Sequence, residues 1–394
     1  MPITGHPQPI PAGDALLRAL RLAPRPGAEW VPLAGLRGRR LAAAVDARHD
    51  LPAADTSAMD GWALRAHEAD RPLVVRGESA AGHAPVGALG PGEACRISTG
   101  GLLPAGADAV LRREDGRLSD GRLVAAAPVH PGLDVRPRAD DLRLGQEVLP
   151  ADALVAAHEV AVVAAAGHAG ALCRRRIRLA LATTGDELVA PGETRPPGSV
   201  IDSNLAGLAA QAEAAGATVA ETGRIPDDRR ATQDALEALL SEEPEVLVTV
   251  GGISVGAHDH VGAALSEITD SWAFRGVDMR PGHPVGVALR GATVVLALPG
   301  NPAAAAVGFH VLGRALLGAD DDWARTAPLR EPAPRHPVAT TFLRCTEDDD
   351  GLVPLPRQGA AQLSSLARAD ALAWIDPGPG IAPPGTGVRV SRMP

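Results

Sequence analysis

The chain contains no lysine, so all 38 of its basic Lys and Arg positions are arginine. With 47 Asp and Glu residues, the formal net charge is −9. A net acidic chain without a basic run is a poor candidate for a general nucleic-acid-binding protein. Arginines and backbone N–H groups can still form a local pocket for an anionic ligand.

Cysteine is also scarce, and the three cysteines lie far apart with no C-x-x-C pair. This number and spacing argue against a disulfide framework and against a cysteine-based zinc site. No stretch of about 20 apolar residues is free of charges or helix breakers, so no membrane span is predicted. The first residues have neither the basic nor the apolar segment of a signal peptide. We therefore expect a cytoplasmic protein.

The chain contains 44 glycine and 36 proline residues, and those in its first third break that region into short pieces. Strand-like segments such as RPLVV at 71–75 and ACRI at 94–97 predict a small β-rich module there. Helices are predicted at 14–22, with Asp14 as the N-cap, and at 153–166. Proline-rich short strands after residue 322 predict a small β-barrel or sandwich.

Between residues 174 and 317 the pattern alternates between strands and helices. The predicted strands are 177–182, 217–223, 245–250 and 293–298, and the predicted helices are 203–215, 230–240 and 303–317. Strands that read as continuous apolar runs are buried on both faces. This alternation predicts a doubly wound, mostly parallel sheet.

Three specialised loops follow strands of that predicted sheet, where ligands of open α/β folds bind. They are TTGDEL at 183–188 with GSVIDSN at 198–204, GGISVG at 251–256, and PGNP at 299–302. Gly251, Gly252 and Gly256 allow backbone N–H groups to approach a phosphate closely. Ser254 can add a hydroxyl donor. PGNP begins a predicted helix, whose N-terminus favours an anion.

Acidic residues accompany these loops. We expect Asp186, Glu187 and Asp259 to lie at one rim, where hard oxygen ligands suit Mg²⁺. Each loop alone is equally consistent with a tight turn or a helix cap. Because all three follow strands of one domain, a single binding site is the favoured interpretation.

Two further segments in the first third carry polar residues. DTSAMDGWA at 55–63 places acids beside Met and Trp, and RISTGG at 96–101 continues through PAGADAV at 104–110. In isolation, the first is a loop packed on a β-edge and the second is a glycine-rich hairpin.

Taken in order, these segments resemble the molybdopterin molybdenumtransferase family, which includes the bacterial MoeA proteins and the C-terminal part of gephyrin. The family motifs match SAMDGWA at 57–63, RISTGGLLPAGADAV at 96–110, TTGDEL at 183–188 and DSN at 202–204. They continue with GGISVGAHD at 251–259, PGNP at 299–302 and LSSLARAD at 363–370. Several long motifs in one order over most of the chain make this resemblance specific.

The resemblance implies a multidomain α/β fold. Domain I covers 1–45 and 138–172 and is extended and helical. Domain II, 46–137, is inserted and β-rich. Domain III, 173–322, is the central doubly wound molybdopterin-binding α/β domain, and domain IV, 323–394, is a C-terminal β-barrel.

The resemblance also implies the reaction and the assembly. Molybdate is inserted into adenylyl-molybdopterin with release of AMP, with Mg²⁺ or a similar divalent ion. Family members form homodimers, in which domain II of one subunit joins domain III of the other. Transient contacts with an adenylyltransferase or with recipient molybdoenzymes are further implied partners.

Site residues follow from the matched motifs. By similarity, the expected catalytic residues are Asp60, Thr99, Asp141, Glu187, Asp227 and Asp259, with Glu187 and Asp259 as metal ligands. The expected binding residues are Thr184, Gly185, Asp186, Ser203, Asn204, Gly251, Gly252, Ser254, Gly256, Arg280, His283, Pro299, Gly300, Asn301, Pro302, Ser364 and Ser365.

The chain departs from the family pattern at a few positions. Ala139 replaces the glycine of a G-E-D step, and Val250 replaces a serine before the glycine pair. The family's K-P-G-K-P is Arg280-Pro281-Gly282-His283-Pro284 here. Arginine can replace lysine as an anion binder with different geometry, whereas histidine is only partly charged near neutral pH.

Two alternatives to the transferase stay open. An adenylyltransferase that activates molybdopterin resembles domain III alone, and the flanking domains argue against it. A non-catalytic carrier of molybdopterin, or a divergent paralogue, is favoured only by the changes at Val250 and His283. Turnover that depends on metal and molybdate separates the enzyme from the carrier.

Overall fold

The computed structural model describes residues 8–84, 87–253, 260–318 and 323–393. The chain divides into two compact units. The smaller unit is Gly27–Arg174, and the larger unit comprises the described residues up to Pro26 and from Arg175 onward. None of the helices within these ranges has the length and apolar character needed to cross a membrane.

Short strands dominate the part of the chain up to Arg174. Its elements are β1 (Ile10–Pro11), α1 (Ala12–Leu22), β2 (Ala28–Pro32), β3 (Val45–Asp46), β4 (Thr56–Ser57), β5 (Gly61–Leu64), β6 (Leu73–Ser79), β7 (Glu93–Ile97), β8 (Ala109–Arg112), β9 (Gly116–Ser119), β10 (Arg122–Ala125), β11 (Val135–Arg136), β12 (Glu147–Leu149), α2 (Ala157–Ala165) and β13 (Gly170–Arg174).

Strands and helices alternate in the next part of the chain. Its elements are β14 (Arg178–Thr184), β15 (Leu188–Val189), β16 (Val200–Ile201), α3 (Ser203–Ala214), β17 (Thr218–Ile225), α4 (Arg229–Ser241), β18 (Val246–Val250), α5 (His260–Ile268), β19 (Ser271–Arg275), β20 (Val277–Arg280), β21 (Gly286–Arg290), β22 (Thr293–Leu298), α6 (Pro302–Gly308) and α7 (Arg314–Leu316). A π-helical turn, Phe309–Gly313, joins the last two helices.

The C-terminal part contains strands and one six-residue 3-10 helix, Leu363–Arg368. The strands are β23 (Arg325–Pro328), β24 (Ala333–Pro334), β25 (Thr340–Asp348), β26 (Gly351–Pro354), β27 (Ala371–Ile375), β28 (Ile381–Ala382) and β29 (Gly387–Arg392).

The smaller unit is built on a six-stranded sheet in the order β8-β5-β7-β6-β10-β9. The predicted strand at 94–97 is β7, and the one predicted at 71–75 overlaps β6. Along β5, Trp62 and Leu64 pack in one apolar cluster while Ala63 packs in another. Alternate side chains of a strand point to opposite faces, so the sheet is buried on both faces at β5.

Ionised carboxylates stabilise this unit. Among the described residues, hydrogen bonds from backbone N–H groups or arginines lower the pKa of six carboxyl groups, of which five lie in the smaller unit: Asp50, Asp60, Glu68, Glu93 and Asp134, with Glu245 in the larger one. For example, the Arg112 guanidinium donates to both oxygens of Asp134, at 2.7 and 3.0 Å. A lowered folded-state pKa stabilises the fold above the unfolded-state pKa.

We therefore expect the smaller unit to lose structure first on acidification. The stabilisation is complete above the ordinary values of 3.8 for Asp and 4.5 for Glu, and it is lost as the pH falls through the lower folded-state values. Limited proteolysis followed by mass spectrometry between pH 5 and pH 2.5 locates the first cleavages. If the first cleavages fell in the larger unit, the prediction that the smaller unit loses structure first would be wrong.

The larger unit contains the predicted doubly wound sheet, in the order β17-β14-β18-β22-β21-β19. The first four strands are parallel, and the last two run antiparallel. Helices α1, α3 and α6 pack on one face, and α4 and α5 pack on the other. Coverage of both faces explains why every residue of β18 and β22 is buried and all but one in each strand, Thr249 and Thr293, are apolar.

The first helix differs from its prediction. It begins at Ala12, after Pro11, rather than after an Asp14 cap. The prediction of Asp14 as the N-cap was wrong because Asp14 lies inside the first turn, where its charge favours the helix dipole without capping an N–H. Ala12 and Ala15 are buried in the core of the central sheet.

The second helix also starts later than predicted, at Ala157. Its predicted first turn forms extended backbone instead, because the carbonyl of Ala153 accepts a hydrogen bond from the N–H of Leu41. The four-part domain division stays a prediction. In the structure, α1 belongs to the core of the larger unit, while residues 27–45 belong to the smaller one.

The C-terminal strands form a seven-stranded sheet in the order β1-β20-β25-β27-β29-β23, with β26 paired to β25. All pairs from β25 to β23 along this path are antiparallel. The rings of Phe342 and Trp374 meet edge to face at 4.9 Å and extend the core of the α/β sheet into this region. The predicted multidomain α/β fold class is confirmed.

Candidate functional site

The topology of the central sheet identifies a crevice. After β14 the chain adds β17 on one side and then β18 on the other, so the strand order reverses between β14 and β18. Ligands of open α/β folds bind beyond the carboxyl ends of the strands at such a switch point. Here β14 ends at Thr184 and β18 ends at Val250, directly before the glycine pair.

Gly251 and Gly252 form a turn that only glycine fits. Their φ angles are +95° and +61°. A Cβ on Gly251 would lie 2.7 Å from Thr184 Oγ1 and 2.9 Å from the Thr184 carbonyl oxygen. Backbone N–H groups in such conformations can make concave anion sites. The Gly251 N–H already donates to the Leu298 carbonyl at 3.0 Å, which leaves the N–H of Gly252 for a ligand. The predicted proximity of the first and second loops is therefore present.

Thr184 adds an unused polar atom at this turn. Its hydroxyl is buried and has no hydrogen-bond partner among the described residues. Buried hydroxyl groups without a partner are costly, and this one lies against both glycines. It is suited to donate to a ligand at the turn.

The acidic residues after β14 are partly engaged with one another. The Asp227 N–H donates to Asp186 Oδ1 at 3.0 Å, and the Asp186 N–H faces Asp227 Oδ2 at 3.4 Å. This reciprocal pair ties the loops after β14 and β17 together. Glu187 folds over Gly185, where a Cβ would lie 2.5 Å from its Oε2. Asp186 and Glu187 thus lie together with Asp227 after β14 and β17, whereas Asp259, the third acid of the predicted rim, lies outside the described residues.

Residues at the start of α3 connect the first loop to the third. Asp202 caps α3 by accepting from the Leu205 N–H at 3.0 Å, and it accepts from Thr183 Oγ1 at 2.6 Å. The Asn204 Nδ2 donates to the carbonyl of Gly300 at 2.8 Å. Ser203, also predicted as a binding residue, is half-buried at the first position of α3.

The PGNP loop does not expose a free helix terminus. The N–H groups of Ala303 and Ala304 donate to the carbonyl of Ala360, at 2.9 and 3.1 Å, and Pro302 has no N–H. The expectation that this helix start binds an anion was wrong, because a carbonyl from the C-terminal region already occupies it. Of the other loop residues, Pro299 is buried, whereas Gly300 and Asn301 are exposed.

The RPGHP turn lies next to the same helix. Gly282 has φ +108°, and a Cβ there would lie 3.6 Å from the carbonyl of Ala304. Arg280 is exposed at the end of β20. The ring Nδ1 of His283 contacts the carbonyl of Val277 at 2.9 Å, so Nδ1 carries the proton and neutral His283 presents an unprotonated Nε2.

The C-terminal serines differ from each other. Ser365 is buried, and its hydroxyl donates to the carbonyl of Gln362 at 2.8 Å. Ser364 is exposed on the 3-10 helix that contacts α6. Ser364 is therefore the member of the pair that is available to a ligand.

Arg344 was missed by the sequence analysis. It is completely buried in β25, and its Nη2 donates to the carbonyls of Arg357 and Gly359 at 3.0 and 3.2 Å. Its Nε and Nη1 have no partner among the described residues, and burial lowers the pKa of its guanidinium. Arg344 fixes the segment that supplies the Ala360 carbonyl to α6. The sequence does contain a signal for this residue, because an arginine between Leu343 and Cys345 in an otherwise apolar stretch indicates a buried cation.

In the smaller unit, antiparallel pairing of β5 and β7 brings the two remaining motifs together. The Thr99 N–H and hydroxyl both donate to Asp60 Oδ1, at 2.8 and 3.0 Å. These hydrogen bonds, the backbone one first, lower the pKa of Asp60, so it is a carboxylate near neutral pH. Asp141 pairs instead with Arg136 at 3.6 Å.

Three predicted residues, Ser254, Gly256 and Asp259, lie outside the described residues. Among the residues the structure describes, no three His, Cys, Asp or Glu side chains converge on a metal position. The exposed carboxylates of Asp186 and Glu187 nevertheless have the donor chemistry of Mg²⁺, which binds through one or two carboxylates and substrate phosphates. The metal-ligand role of Glu187 stays a prediction.

Three family models together match most of the chain. The MoeA N-terminal region (domain I and II) matches residues 10–167, a probable molybdopterin binding domain matches 180–319, and the MoeA C-terminal region (domain IV) matches 326–392. These matches follow the order of the motifs in the sequence.

Relatives and solved structures agree with the family models. A molybdopterin molybdenumtransferase from Nostoc sp. is 36% identical over 291 residues, covering 71% of this chain and 66% of that protein. One from Synechococcus elongatus is 31% identical over 380 residues and covers 93% and 94% of the two chains. The crystal structure of a molybdopterin biosynthesis MoeA protein from Pyrococcus horikosii superposes with a TM-score of 0.83 at 27% identity, covering 98% of this chain and 99% of that chain. The chain therefore belongs to the MoeA family of molybdopterin molybdenumtransferases.

Proposed function

We propose that the protein is a molybdopterin molybdenumtransferase, which inserts molybdate into adenylyl-molybdopterin and releases AMP. The observation that carries this proposal is the meeting of three strand-end turns at the switch point of the sheet, with Gly251 in contact with Thr184 and Gly300. Family membership supplies the substrate class, and the turn supplies a fitting place for a phosphate.

The chemistry we assign to the chain is mainly binding and orientation. The backbone N–H of Gly252 and the Thr184 hydroxyl would hold the phosphate of the ligand. Arg280 would hold the oxyanion, since a guanidinium forks onto two oxygens. A bound Mg²⁺ would neutralise phosphate charge, and Glu187, with Asp259 from the family motif, would hold it.

The test of this proposal is a single-turnover assay. Purified protein, adenylyl-molybdopterin, Mg²⁺ and molybdate are mixed, and free AMP and metallated pterin are measured together. We expect AMP release to require molybdate. Tight pterin binding without AMP release would favour a carrier, and AMP transfer from ATP to molybdopterin would favour the adenylyltransferase. AMP release that does not need molybdate would contradict the coupling of cleavage to insertion.

Replacing Glu187 by glutamine tests its predicted role. Glu187→Gln keeps the shape of the side chain and removes its charge, so we expect AMP release to fall by at least tenfold at low Mg²⁺, since glutamine is a weaker ligand of a hard cation. Added Mg²⁺ should restore part of the rate. Glu221→Gln, on the exposed edge strand β17, is the matched control. Equal activity of the two variants across the Mg²⁺ titration would exclude a metal role.

A substitution at His283 gives a second test of the proposed oxyanion site, with a smaller expected effect. Because its Nδ1–H faces the Val277 carbonyl, neutral His283 cannot donate from Nε2 to an oxyanion. We expect His283→Lys to lower the KM for molybdate up to about fivefold at pH 8, the scale of an exposed ion pair. His158→Lys adds the same charge on α2 as a control. A molybdate KM that is unchanged in His283→Lys would remove this residue from the oxyanion site.

We extend the proposal to a cytoplasmic homodimer. All three cysteines are buried and free, as suits a reducing compartment. Trp30, 60% exposed, stands opposite Leu172, 48% exposed, on the β2–β13 ribbon, and exposed apolar side chains of this kind favour an interface. Light scattering should give twice the chain mass of 40.2 kDa. Transient contacts with an adenylyltransferase or recipient molybdoenzymes stay an expectation from the family.

A further inference from the structure

We propose that Asp202 and Asn204 are positioning residues that hold the turn after β14 and the turn after β22 in place around Gly251. The effect on turnover rests on the proposed function. The structural effect does not, because the turns exist in the ligand-free protein.

The first half of this connection is the buried carboxylate of Asp202. It is 3% exposed and accepts hydrogen bonds from two neutral groups, the Thr183 hydroxyl at 2.6 Å and the Leu205 N–H at 3.0 Å. A buried carboxylate needs such donors. Its backbone N–H also donates to the carbonyl of Val189 at 2.9 Å. Asp202 therefore fixes the start of α3 to the end of β14 and to the loop that follows it.

The second half is the Asn204 amide. Its Nδ2 donates to the Gly300 carbonyl at 2.8 Å, across 96 positions of sequence. Gly300 follows β22, which is separated from β14 by β18. Strands β14 and β22 therefore lie roughly 9 to 10 Å apart. This distance is too long for main-chain hydrogen bonds between the turns that follow them. The side chains of Thr183, Asp202 and Asn204 bridge that distance.

The turn between them is the one predicted to bind phosphate. A Cβ on Gly300 would lie 3.6 Å from the Gly251 Cα, and Thr184 contacts Gly251 from the other side. A shift of the PGNP turn would therefore change the space at Gly251. One of the two N–H groups of the Asn204 amide is used by Gly300, so this N–H acts on the protein rather than on a ligand.

Asn204→Asp is the discriminating variant. It keeps the size of the side chain but places an anionic oxygen against the Gly300 carbonyl. An acid in the first turn of α3 favours the helix dipole, so a loss of helix stability cannot explain an effect. We expect hydrogen exchange at the Ala303 and Ala304 amides of the ligand-free protein to rise at least tenfold. Glu213→Gln, exposed later on the same helix, should leave that exchange unchanged.

Thr183→Val tests the other end of the connection. Valine keeps the shape of threonine and removes the hydroxyl that Asp202 accepts. We expect faster exchange at the same two amides. The double variant Thr183→Val/Asn204→Asp should show little more than the larger single effect, because residues that act in series are not additive.

Steady-state kinetics then show whether Asn204 positions the turns or contacts the ligand directly. With the proposed function correct, Asn204→Asp should raise the KM for adenylyl-molybdopterin about tenfold while kcat changes by less than threefold. Unchanged exchange at Ala303 and Ala304 in both single variants would overturn the positioning role, even if turnover falls. Faster exchange in a protein without molybdate-dependent AMP release would keep the positioning role and count against the proposed function instead.

Discussion

Gly251→Ala is expected to reduce kcat/KM for AMP release by about 100-fold, the effect of a displacement of about 1 Å in a catalytic site. The added Cβ would meet the Thr184 hydroxyl at 2.7 Å and the Thr184 carbonyl oxygen at 2.9 Å. A carbonyl cannot rotate away as a flexible side chain can, so the end of β14 or the glycine turn must move. The φ of +95° adds strain of about 1–3 kcal/mol to any residue other than glycine.

Gly207→Ala is the matched control. Gly207 lies inside α3, and a Cβ there would meet nothing within 4 Å. The same added methyl group should stabilise the protein by about 0.5–1 kcal/mol, because glycine in a helix interior is unfavourable. Urea denaturation and AMP release of both variants check the pair. Wild-type activity in Gly251→Ala would mean that the turn is only a strand connection, and the proposed phosphate position would be wrong.

The sequence predicted the four parallel strands of the central sheet, though not the antiparallel β19 and β21, because the signal of the parallel strands is local. The strand predicted at 293–298 coincides with β22, and the helices predicted at 203–215 and 230–240 match α3 and α4 within a residue at each end. Strands covered on both faces form nearly continuous apolar runs, and glycine ends several of these elements. Those constraints act within a few positions of the chain and can be read directly from it.

The features that the sequence did not reveal depend on distant partners. The start of α6 resembles an open anion site until the Ala360 carbonyl, almost 60 positions away, is placed on it. Buried Arg344 has a role only once the carbonyls of Arg357 and Gly359 surround it. Similarly, Ser203 and Asn204 of the DSN motif were assigned to ligand binding, whereas the structure uses an Asn204 N–H and the neighbouring Asp202 within the protein.

Gly61→Ala is expected to destabilise the smaller unit by about 3 kcal/mol or more, at the upper end of overpacking effects. Gly61 lies in β5 between β7 and β8, paired with Ile97 and Arg112. A Cβ there would lie 1.9 Å from the Leu111 carbonyl oxygen. No side-chain rotation relieves that overlap, so β8 must separate from β5. Urea denaturation measures the loss.

Gly223→Ala provides the strand control, since a Cβ at that position in β17 would meet nothing within 4 Å. It should change stability by less than 1 kcal/mol. A similarly small change in Gly61→Ala would show that β5 and β8 adjust freely, and the tight approach of these two strands would then not explain the glycine.

The same variant also reports on the site through Asp60, the residue before Gly61. Asp60 has a lowered pKa because the Thr99 N–H and hydroxyl donate to it across the β5–β7 pair. If β5 shifts, those hydrogen bonds lengthen and the pKa of Asp60 should rise toward its ordinary value of 3.8. NMR titration of the Asp60 carboxyl carbon in folded Gly61→Ala measures this directly. A rise in pKa would mean that the close approach of β5 and β8 also holds the Asp60–Thr99 pair in place, whereas an unchanged pKa in a destabilised variant would mean that this glycine serves the β-sheet alone.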